Sequence, residues 1–312
     1  MRIAFVHPAL AGKGGGERQL LNLAIQLQKK GHKVEIFTRY VDPINCYPAL
    51  VEQVKVNTLS ASTEPILINK LSFWLGKSKF LFRAAVDIGK NYKDFFTMLI
   101  LGLSVPKHFD IINCHNFPTE WAAFIAKLRT RIPIVWHCNE PPFWFHQKFP
   151  FRCFAWPLYQ IWDKLAVKYV DLIITLDELN HKRVQEIYGR DSSIIRSGID
   201  VLKFRNMKGD KIRNRHGFAP EDFVLLQVGA LNHYKRQEDS IAALKYAEYP
   251  FLKLLLVGEG SSYEVARLRG LVKRLELTDR VIFAGQVSDE ELPEYYAACN
   301  TFLFPAEQTW GL

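Results

Sequence analysis

The chain has 312 residues, of which 48% are hydrophobic and 13% aromatic, and a formal net charge of +9. This length and apolar content suit roughly two globular domains with buried cores and exclude a disordered or low-complexity chain. The charge is uneven, because residues 1–205 carry 28 basic and 17 acidic side chains whereas residues 206–312 carry 13 and 15. The basic first part is either solvated surface or suited to an anionic partner such as a diphosphate, nucleic acid or lipid headgroups.

The cysteines and the longest apolar run indicate in which cellular compartment the chain is expected. The five cysteines are widely spaced without a CxxC pair, so we expect reduced thiols in a cytosolic compartment. Cys114-His115 and His137-Cys138 end two predicted strands and could converge as four metal ligands, although structural zinc sites usually use short local spacings. The chain enters a strand at once, without a signal-peptide layout, and its longest uncharged apolar run, Phe95 to Pro106, is far shorter than a membrane span of about 20 residues.

Short apolar strands alternate with amphipathic helical stretches, a pattern that predicts parallel sheets with crossover helices. The predicted strands of the first part are Arg2 to His7, Lys33 to Thr38, Asp110 to Cys114, Pro133 to His137, Asp171 to Leu176 and Ser193 to Arg196. The predicted helices are Gly16 to Lys30, Thr119 to Leu128, Phe154 to Tyr169 and Asp177 to Tyr188. After a polar connection, further strands are predicted at Phe223 to Val228, Phe251 to Val257, Val281 to Ala284 and Thr301 to Pro305. The sequence therefore predicts an α/β fold with two domains, residues 1–205 and 206–312.

A glycine-rich loop, Gly12 to Gly16, follows the first predicted strand and opens a helix. Free backbone N–H groups and the positive end of the helix dipole favour an anion there, and we expect Gly15 and Gly16 to let a ligand approach the backbone. The loop lacks the Gly-Lys-Ser/Thr of a P-loop, and Glu17 stands where a dinucleotide fingerprint has its third glycine. A plain tight turn, or a nicotinamide-dependent oxidoreductase with Glu35 on the ribose, are the alternatives.

Candidate ligand-contacting side chains follow two later strands of the first part. His115 and His137 stand at strand ends, where ligands of parallel sheets bind, and each is either a binding residue or a satisfied histidine. The stretch from Pro141 to Trp162 is dense in Phe and Trp beside Lys148 and Arg152. Such a segment is typical either of a core or of a membrane interface, so peripheral contact with an anionic membrane surface is a hypothesis.

The second part offers a set of groups suited to a diphosphate and a sugar. One strand ends in Gly229 and is followed by Lys235 and Arg236 at the entry of the next helix, where two cations can neutralise charge on a departing diphosphate. The next strand ends in a second turn into a helix, made by Gly258, Glu259 and Gly260. The last predicted strand is followed by a carboxylate and a carboxamide that can hold a sugar, Glu307 and Gln308.

In this order the segments resemble glycosyltransferase family four, whose members are retaining enzymes of GT-B fold. Gly14 to Arg18 resembles the family's Gly-Gly-x-Glu-Arg signature, which lies under the acceptor and near the donor diphosphate. The resemblance implies that His115 contacts the sugar or acceptor and that Lys235 binds the diphosphate. Ala230 occupies the family's usual Arg position, so Arg236 is expected to supply the second cation. The loop from Gly258 to Gly260 corresponds to the nucleotide-base loop.

The resemblance also implies two facing Rossmann-like domains, the first for the acceptor and the second for the nucleotide sugar. Phe37 to Pro43 and Cys46-Tyr47 resemble mannosyltransferases that elongate lipid-linked oligosaccharides, which implies GDP-mannose as donor and a location at the cytosolic face of a membrane. The family's first glutamate falls on Gln308, with Glu307 adjacent, and its second lies beyond Leu312. We therefore expect the second domain to be incomplete.

The expected function is transfer of a sugar, with mannose favoured, to a glycan or lipid-linked acceptor with retention of configuration. The departing diphosphate would assist deprotonation of the acceptor hydroxyl. No Asp-x-Asp pair occurs in the sequence, so we expect no metal and no other cofactor, and nucleic acid is not an expected partner. Ala230, Gln308 and the missing end favour an alternative, an inactive glycosyltransferase-like protein that only binds a nucleotide sugar.

Overall fold

The computed structural model of the chain describes residues 1–59, 94–146, 156–247 and 249–306. It divides into two compact units, the first spanning Met1–Ser197 and the second beginning at Gly198. The domain boundary that the sequence places near residue 205 stays a prediction. Each unit is described by itself.

The first unit is built on a seven-stranded parallel sheet in the order β3-β2-β1-β4-β5-β6-β7. Its strands are β1 Arg2–His7, β2 Lys33–Thr38, β3 Lys55–Thr58, β4 Ile111–His115, β5 Ile134–His137, β6 Leu172–Thr175 and β7 Ser193–Ile194. The connecting helices are Gly15–Lys29, Pro48–Val51, residues 94–104, Thr119–Thr130, Phe143–His146, Trp156–Lys168 and Glu178–Tyr188.

Strand β1 explains why the first sheet is covered on both faces. Successive side chains of a strand point to opposite faces, and here Ala4 and Val6 enter one hydrophobic core while Ile3 and Phe5 enter another. Both faces of β1 are therefore buried, which explains why residues 3–6 are all apolar instead of alternating between apolar and polar. The helix Gly15–Lys29 covers one of these faces.

The second unit has a four-stranded parallel sheet in the order β10-β9-β8-β11. Its strands are β8 Phe223–Val228, β9 Leu252–Val257, β10 Val281–Gly285 and β11 Thr301–Phe302. Its α-helices are Asp210–Arg215, Gln237–Tyr246, Ser262–Arg274 and Leu292–Ala298, and 3-10 turns occupy Val201–Lys203 and His233–Lys235. Leu254 and Leu256 of β9 enter one core and Leu255 and Val257 the other, so this sheet is also packed on both faces.

The strand orders locate the ligand-binding edge of each unit. In the first sheet the chain runs outward in one direction from β1 and in the other from β4, and in the second sheet the same reversal separates β8 from β11. Open parallel sheets bind ligands beyond the carboxyl ends of the strands at such a reversal. The loops that follow these four strands are therefore where functional side chains are expected.

The predicted α/β architecture with parallel sheets is confirmed. Strands β1, β2 and β8 have the predicted bounds, whereas β11 covers only Thr301–Phe302, because only those two residues pair with β8. Likewise the predicted strand to Arg196 ends at Ile194. The sequence does not predict β3 or the helix at residues 94–104. Within the described ranges, no helix combines the length and the apolarity that crossing a bilayer requires.

Candidate functional site

The glycine loop of the first unit leads directly into the helix Gly15–Lys29. Gly14 is the extended N-cap residue, and its carbonyl accepts hydrogen bonds from the Arg18 amide at 3.1 Å and the Tyr47 hydroxyl at 3.2 Å. A Cβ on Gly15 would meet no described atom within 4 Å, whereas one on Gly16 would come to 2.8 Å from Asn116 Nδ2. Gly15 thus borders open space, and the glycine at 16 allows β4's loop to approach the helix.

A network of carboxamide side chains lies at the carboxyl edge of the first sheet, near the reversal between β1 and β4. Asn139 Nδ2 donates to Gln19 Oε1 at 2.6 Å and to Asn116 Oδ1 at 2.9 Å. Asn116 Nδ2 lies 3.3 Å from His7 Nε2. Asn116 has a φ of 64°, in the left-handed region that asparagine tolerates better than most residues. The network fixes the loops after β1, β4 and β5 against one another.

The predicted histidines His115 and His137 meet, together with His7, at this edge. The rings of His115 and His137 stack with centroids 4.4 Å apart at an interplanar angle of 14°. His137 Nδ1 is 3.0 Å from Asn113 Oδ1, so it donates its proton there, whereas neither ring nitrogen of His115 has a hydrogen-bond partner among the described residues. His115 is fully buried, which makes it a poor direct contact for a ligand without local rearrangement.

Burial keeps the three histidines neutral. It lowers the pKa of His7 and of His137 to about 4. The pKa of His115 lies well below its usual value because of burial and then because of the neighbouring His137 and His7. At neutral pH these imidazoles can donate or accept a hydrogen bond but add no positive charge to an anion bound at this edge.

The alternative metal site finds little geometric support. The His115 and His137 rings lie face to face, and the Cys114 thiol donates to the carbonyl of Val135 at 3.6 Å. Burial is the main reason that the pKa values of the Cys114 and Cys138 thiols are raised well above their usual range, which disfavours the thiolate form that binds metals. Among the residues described, no group of three or more His, Cys, Asp or Glu side chains is arranged to hold a metal ion.

The aromatic segment contributes mostly to the core. Phe145 is 2% exposed and lies 5.2 Å from Phe117 between ring centroids, and Tyr159 and Trp162 pack against the same core. Phe145 is therefore a core residue, and membrane contact by the segment stays a hypothesis. Phe143 is partly buried, and Arg183 Cζ lies 4.6 Å from the centre of its ring. The remaining aromatic positions of the segment either lie outside the described residues, as Phe149, Phe151 and Phe154 do, or belong to side chains that the structure does not describe.

In the second unit the loops after β8 and β9 lie against each other. The Gly229 amide donates to Val257 at 2.9 Å and the Leu231 amide to the carbonyl of Glu259 at 2.7 Å. Gly258 has a φ of 139°, and a Cβ there would overlap the carbonyl oxygen of Gly229. A Cβ on Gly260 would overlap the carbonyl of Leu231 in the same way. The packing of the two loops thus requires glycine at positions 258 and 260.

Lys235 and Arg236 lie at this edge but are held differently. The aliphatic part of Lys235 covers Gly229, since Cδ and Cε would be 3.9 Å from a Cβ on that glycine. Lys235 Nζ lies 5.2 Å from the ring centre of Phe304, which follows β11, and burial lowers its pKa. Arg236 has a φ of 55° and its Nε donates to Asp239 Oδ2 at 2.7 Å. The lysine is therefore placed at the reversal between β8 and β11.

Three polar side chains that the sequence analysis does not single out position this loop. Gln227 Nε2 donates to the carbonyl of Lys235 at 2.8 Å, Gln237 Nε2 to that of Ala230 at 3.0 Å, and Asn232 Oδ1 accepts from the Lys235 amide at 3.2 Å. Both glutamines are nearly fully buried. A glutamine within the apolar run of β8 is the signal that identifies such a residue, because a buried amide needs a partner.

Glu307 and Gln308, the predicted sugar-contacting residues, lie outside the described residues. The alternative ribose contact, Glu35, is engaged by Lys55 at 3.0 Å and by Asn57 at 2.9 Å. The carboxylate that the nicotinamide alternative assigns to the ribose is thus paired with side chains of β3.

Two Rossmann-like units in one chain, each with a glycine-bearing loop at its strand reversal, define a GT-B protein. The structure of Anabaena Alr3699/HepE in complex with UDP has this fold, with a TM-score of 0.72 at 20% identity over 99% of this chain and 75% of that one. The sequence profile of Glycosyltransferase Family 4 matches residues 13–202, and that of Glycosyl transferases group 1 matches residues 208–309. The chain belongs to glycosyltransferase family 4.

Three curated relatives are 21% to 29% identical to the chain. The putative glycosyltransferase EpsD of Bacillus subtilis is 29% identical over 58% of this chain and 49% of its own length. D-inositol 3-phosphate glycosyltransferase of Mycolicibacterium smegmatis is 22% identical over 98% and 69%, and human alpha-1,3/1,6-mannosyltransferase ALG2 is 21% identical over 99% and 75%. The match to EpsD thus spans about half of that relative, and the others extend beyond this chain as well.

Proposed function

We propose that the protein transfers a sugar from a nucleotide sugar to a glycan or lipid-linked acceptor with retention of configuration. The observation that carries this proposal is the position of Lys235, whose side chain covers Gly229 at the strand reversal of the unit that matches the group 1 transferases. A cation at that point can neutralise the charge that develops on a departing diphosphate.

The second unit is proposed to hold the donor. Gly229, Gly258, Glu259 and Gly260, which lie in the two closely packed loops, are proposed to contact the nucleotide. Lys235 and Arg236 are the proposed diphosphate ligands. Because Arg236 Nε is bonded to Asp239, a diphosphate has to share or replace that contact. Glu307 and Gln308 are proposed to contact the donor sugar.

The first unit is proposed to hold the acceptor. Gly15 borders open space at the N-terminus of its helix, and Gly16 packs against the Asn116 loop. The neutral His115 is proposed to act at the sugar or acceptor as a hydrogen-bonding group rather than as a charge. The diphosphate leaving group is proposed to take the acceptor proton on the same face, as retention requires.

GDP-mannose is the proposed donor. The segment from Phe37 to Tyr47 resembles mannosyltransferases of lipid-linked oligosaccharide synthesis, and the similarity to ALG2 supports the same assignment. UDP-glucose is the competing donor, since HepE has been solved with it. No metal or other cofactor is proposed, because the sequence lacks an Asp-x-Asp pair. The proposed location is the cytosolic face of a membrane.

Titration with GDP-mannose and UDP-glucose, followed by a transfer assay with a lipid-linked oligosaccharide, tests the proposal. We expect binding of GDP-mannose, transfer of mannose with retained anomeric configuration, and the same rate in EDTA. Tighter binding of UDP-glucose would overturn the donor assignment, and a rate lost in EDTA and restored by manganese would overturn the metal-free mechanism.

An inactive nucleotide-sugar-binding protein is the second candidate. It is favoured by Ala230 at the position of the family's usual arginine and by the Arg236–Asp239 pair, which leave Lys235 as the main cation of the loop. Binding of a nucleotide sugar without transfer or hydrolysis would support this candidate. Transfer by the same preparation would exclude it.

A further inference from the structure

The helix Trp156–Lys168 presents an aliphatic stripe to solvent. Leu158, Ile161 and Leu165 are 67%, 64% and 40% exposed, and their spacing of three and four residues places them on one face of the helix. Other side chains of the helix, for example the fully buried Val167, pack in the core. Several large aliphatic side chains grouped on an exposed face are typical of a surface that binds a partner.

The exposed charged side chains of this helix are all basic. Lys164 and Lys168 are exposed one turn apart beside the aliphatic residues. The helix's one carboxylate, Asp163, is fully buried, where Trp121 Nε1 donates to it at 2.7 Å. Exposed positions of this helix therefore offer cations and no anions, in a part of the chain, residues 1–205, that has 28 basic and 17 acidic side chains.

We propose that this aliphatic–lysine face, formed by Leu158, Ile161, Lys164, Leu165 and Lys168, docks the protein on an anionic lipid membrane surface. The three aliphatic side chains would enter the boundary between headgroups and acyl chains, and the two lysines would bind lipid phosphates. The inference deepens the proposed function and rests on it in one respect: a lipid-linked acceptor presents its sugar at that surface.

A membrane fits this face better than a second copy of the chain. Three aliphatic side chains supply much less area than the roughly 1,200 Å² of a specific protein–protein interface. Pairing two copies through the same face would also bring Lys164 and Lys168 close to like charges. Membrane docking needs only a small apolar insertion combined with electrostatic attraction, and each component is present here.

The test is co-sedimentation of the whole protein with vesicles of phosphatidylcholine, with and without phosphatidylglycerol. We expect binding only when phosphatidylglycerol is present, with a loss of at least tenfold in the variants L158Q/I161Q/L165Q and K164E/K168E. The matched controls are L103Q/L179Q, which alters leucines exposed by 53% and 54% on other helices of the same unit, and K30E/K182E, which alters exposed lysines. Both controls should bind as the unaltered protein does.

Three outcomes would overturn the inference. They are the absence of binding to anionic vesicles, an equal loss in the control variants, and a dimer in size-exclusion chromatography that the L158Q/I161Q/L165Q variant disperses. All variants are also titrated with the nucleotide sugar, and an unchanged affinity establishes that they are folded. Failure of the unaltered protein to bind any nucleotide sugar would sink the proposed function but leave the vesicle result standing, so the two failures are distinguishable.

Discussion

At the scale of single residues, Gly258 determines how closely the loops after β8 and β9 approach each other. Its φ of 139° and the overlap of any Cβ with the Gly229 carbonyl oxygen leave no room for a side chain. We expect G258A to lower the free energy of unfolding by at least ~2 kcal/mol and to weaken nucleotide binding. Urea denaturation and a nucleotide titration would measure both effects.

Gly270 offers a matched control for that substitution. It lies within the helix Ser262–Arg274, and a Cβ there would approach only the end of the Arg274 side chain, at 3.9 Å. Because alanine favours helices, G270A should raise the free energy of unfolding by roughly 0.5–1 kcal/mol. Equal destabilisation by both substitutions would refute the role given to the contact between Gly258 and Gly229.

The buried histidines give the protein a defined response to acid. Burial lowers the pKa of His137 to about 4, so between its unfolded pKa of about 6.5 and pH 4 the unfolded chain binds a proton that the folded chain does not. At higher pH the residue does not make the stability depend on pH. As the pH falls from about 6.5 to 4, the free energy of unfolding falls by roughly 3 kcal/mol. His7, with the same folded value, adds to the fall.

The variant H137Q tests this response. Its free energy of unfolding should fall less steeply between pH 6.5 and 4.5 than that of the unaltered protein, by about 2 kcal/mol over the window. Parallel curves for H137Q and the unaltered protein would show that the imidazole is accessible to protons when the chain is folded.

The sequence alone predicts some of the residues of the two candidate sites. Gly229, Gly258 and Gly260 were recognisable because each follows or borders a buried strand, and the structure gives a steric reason for two of them. His115 was recognisable at a strand end, but its complete burial was not, since burial depends on packing against Phe5 and His137 from other strands. The supporting amides of Gln227 and Gln237 donate to the carbonyls of Lys235 and Ala230, and the sequence alone does not assign these pairings.

At the scale of elements, Asp163 ties the helix Trp156–Lys168 to its neighbours. Its carboxylate is 2.7 Å from Trp121 Nε1, 2.7 Å from His146 Nε2 and 2.8 Å from the Tyr188 hydroxyl, which come from three other helices. A fully buried carboxylate with three partners is costly to remove, because the donors are left without an acceptor.

We therefore expect D163A to lower the free energy of unfolding by roughly 3 kcal/mol. The control is E120Q. Glu120 is fully buried, and burial together with the nearby Asp163 raises the pKa of its carboxyl well above the usual range, which favours the neutral form that glutamine resembles. E120Q should change stability by less than about 1 kcal/mol. Thermal denaturation of both variants at pH 7 checks the contrast, and similar losses would contradict it.

The elements that the sequence predicted best are those buried on both faces. Strands β1, β2 and β8 are mostly apolar runs, interrupted only by Glu35 in β2 and Gln227 in β8, so their positions follow from composition. Strand β3 is the edge strand Lys55–Thr58, in which Val56 is the one apolar residue, and its existence depends on pairing with β2. The end of β11 similarly depends on its pairing with β8, which the apolar run through Pro305 does not reveal.

At the scale of the whole molecule, the two units share one type of sheet and loop arrangement. Each unit has a parallel sheet with a reversal of strand order, and each places a glycine-bearing loop after the first strand of that reversal. The first unit combines its loop with neutral histidines and carboxamides, whereas the second combines its loop with Lys235 and Arg236. This difference is the basis for assigning the acceptor to the first unit and the charged donor to the second.

Calorimetric titration of GDP and UDP into the variant K235A/R236A tests the central claim most directly. The matched control is K273A/R274A, an exposed lysine–arginine pair in the last turn of the helix Ser262–Arg274. Because charge-assisted contacts to phosphate are worth more than neutral ones, the account predicts a loss of about 100-fold in nucleotide affinity for K235A/R236A and none for the control. Unchanged affinity in K235A/R236A, or an equal loss in the control, would contradict it.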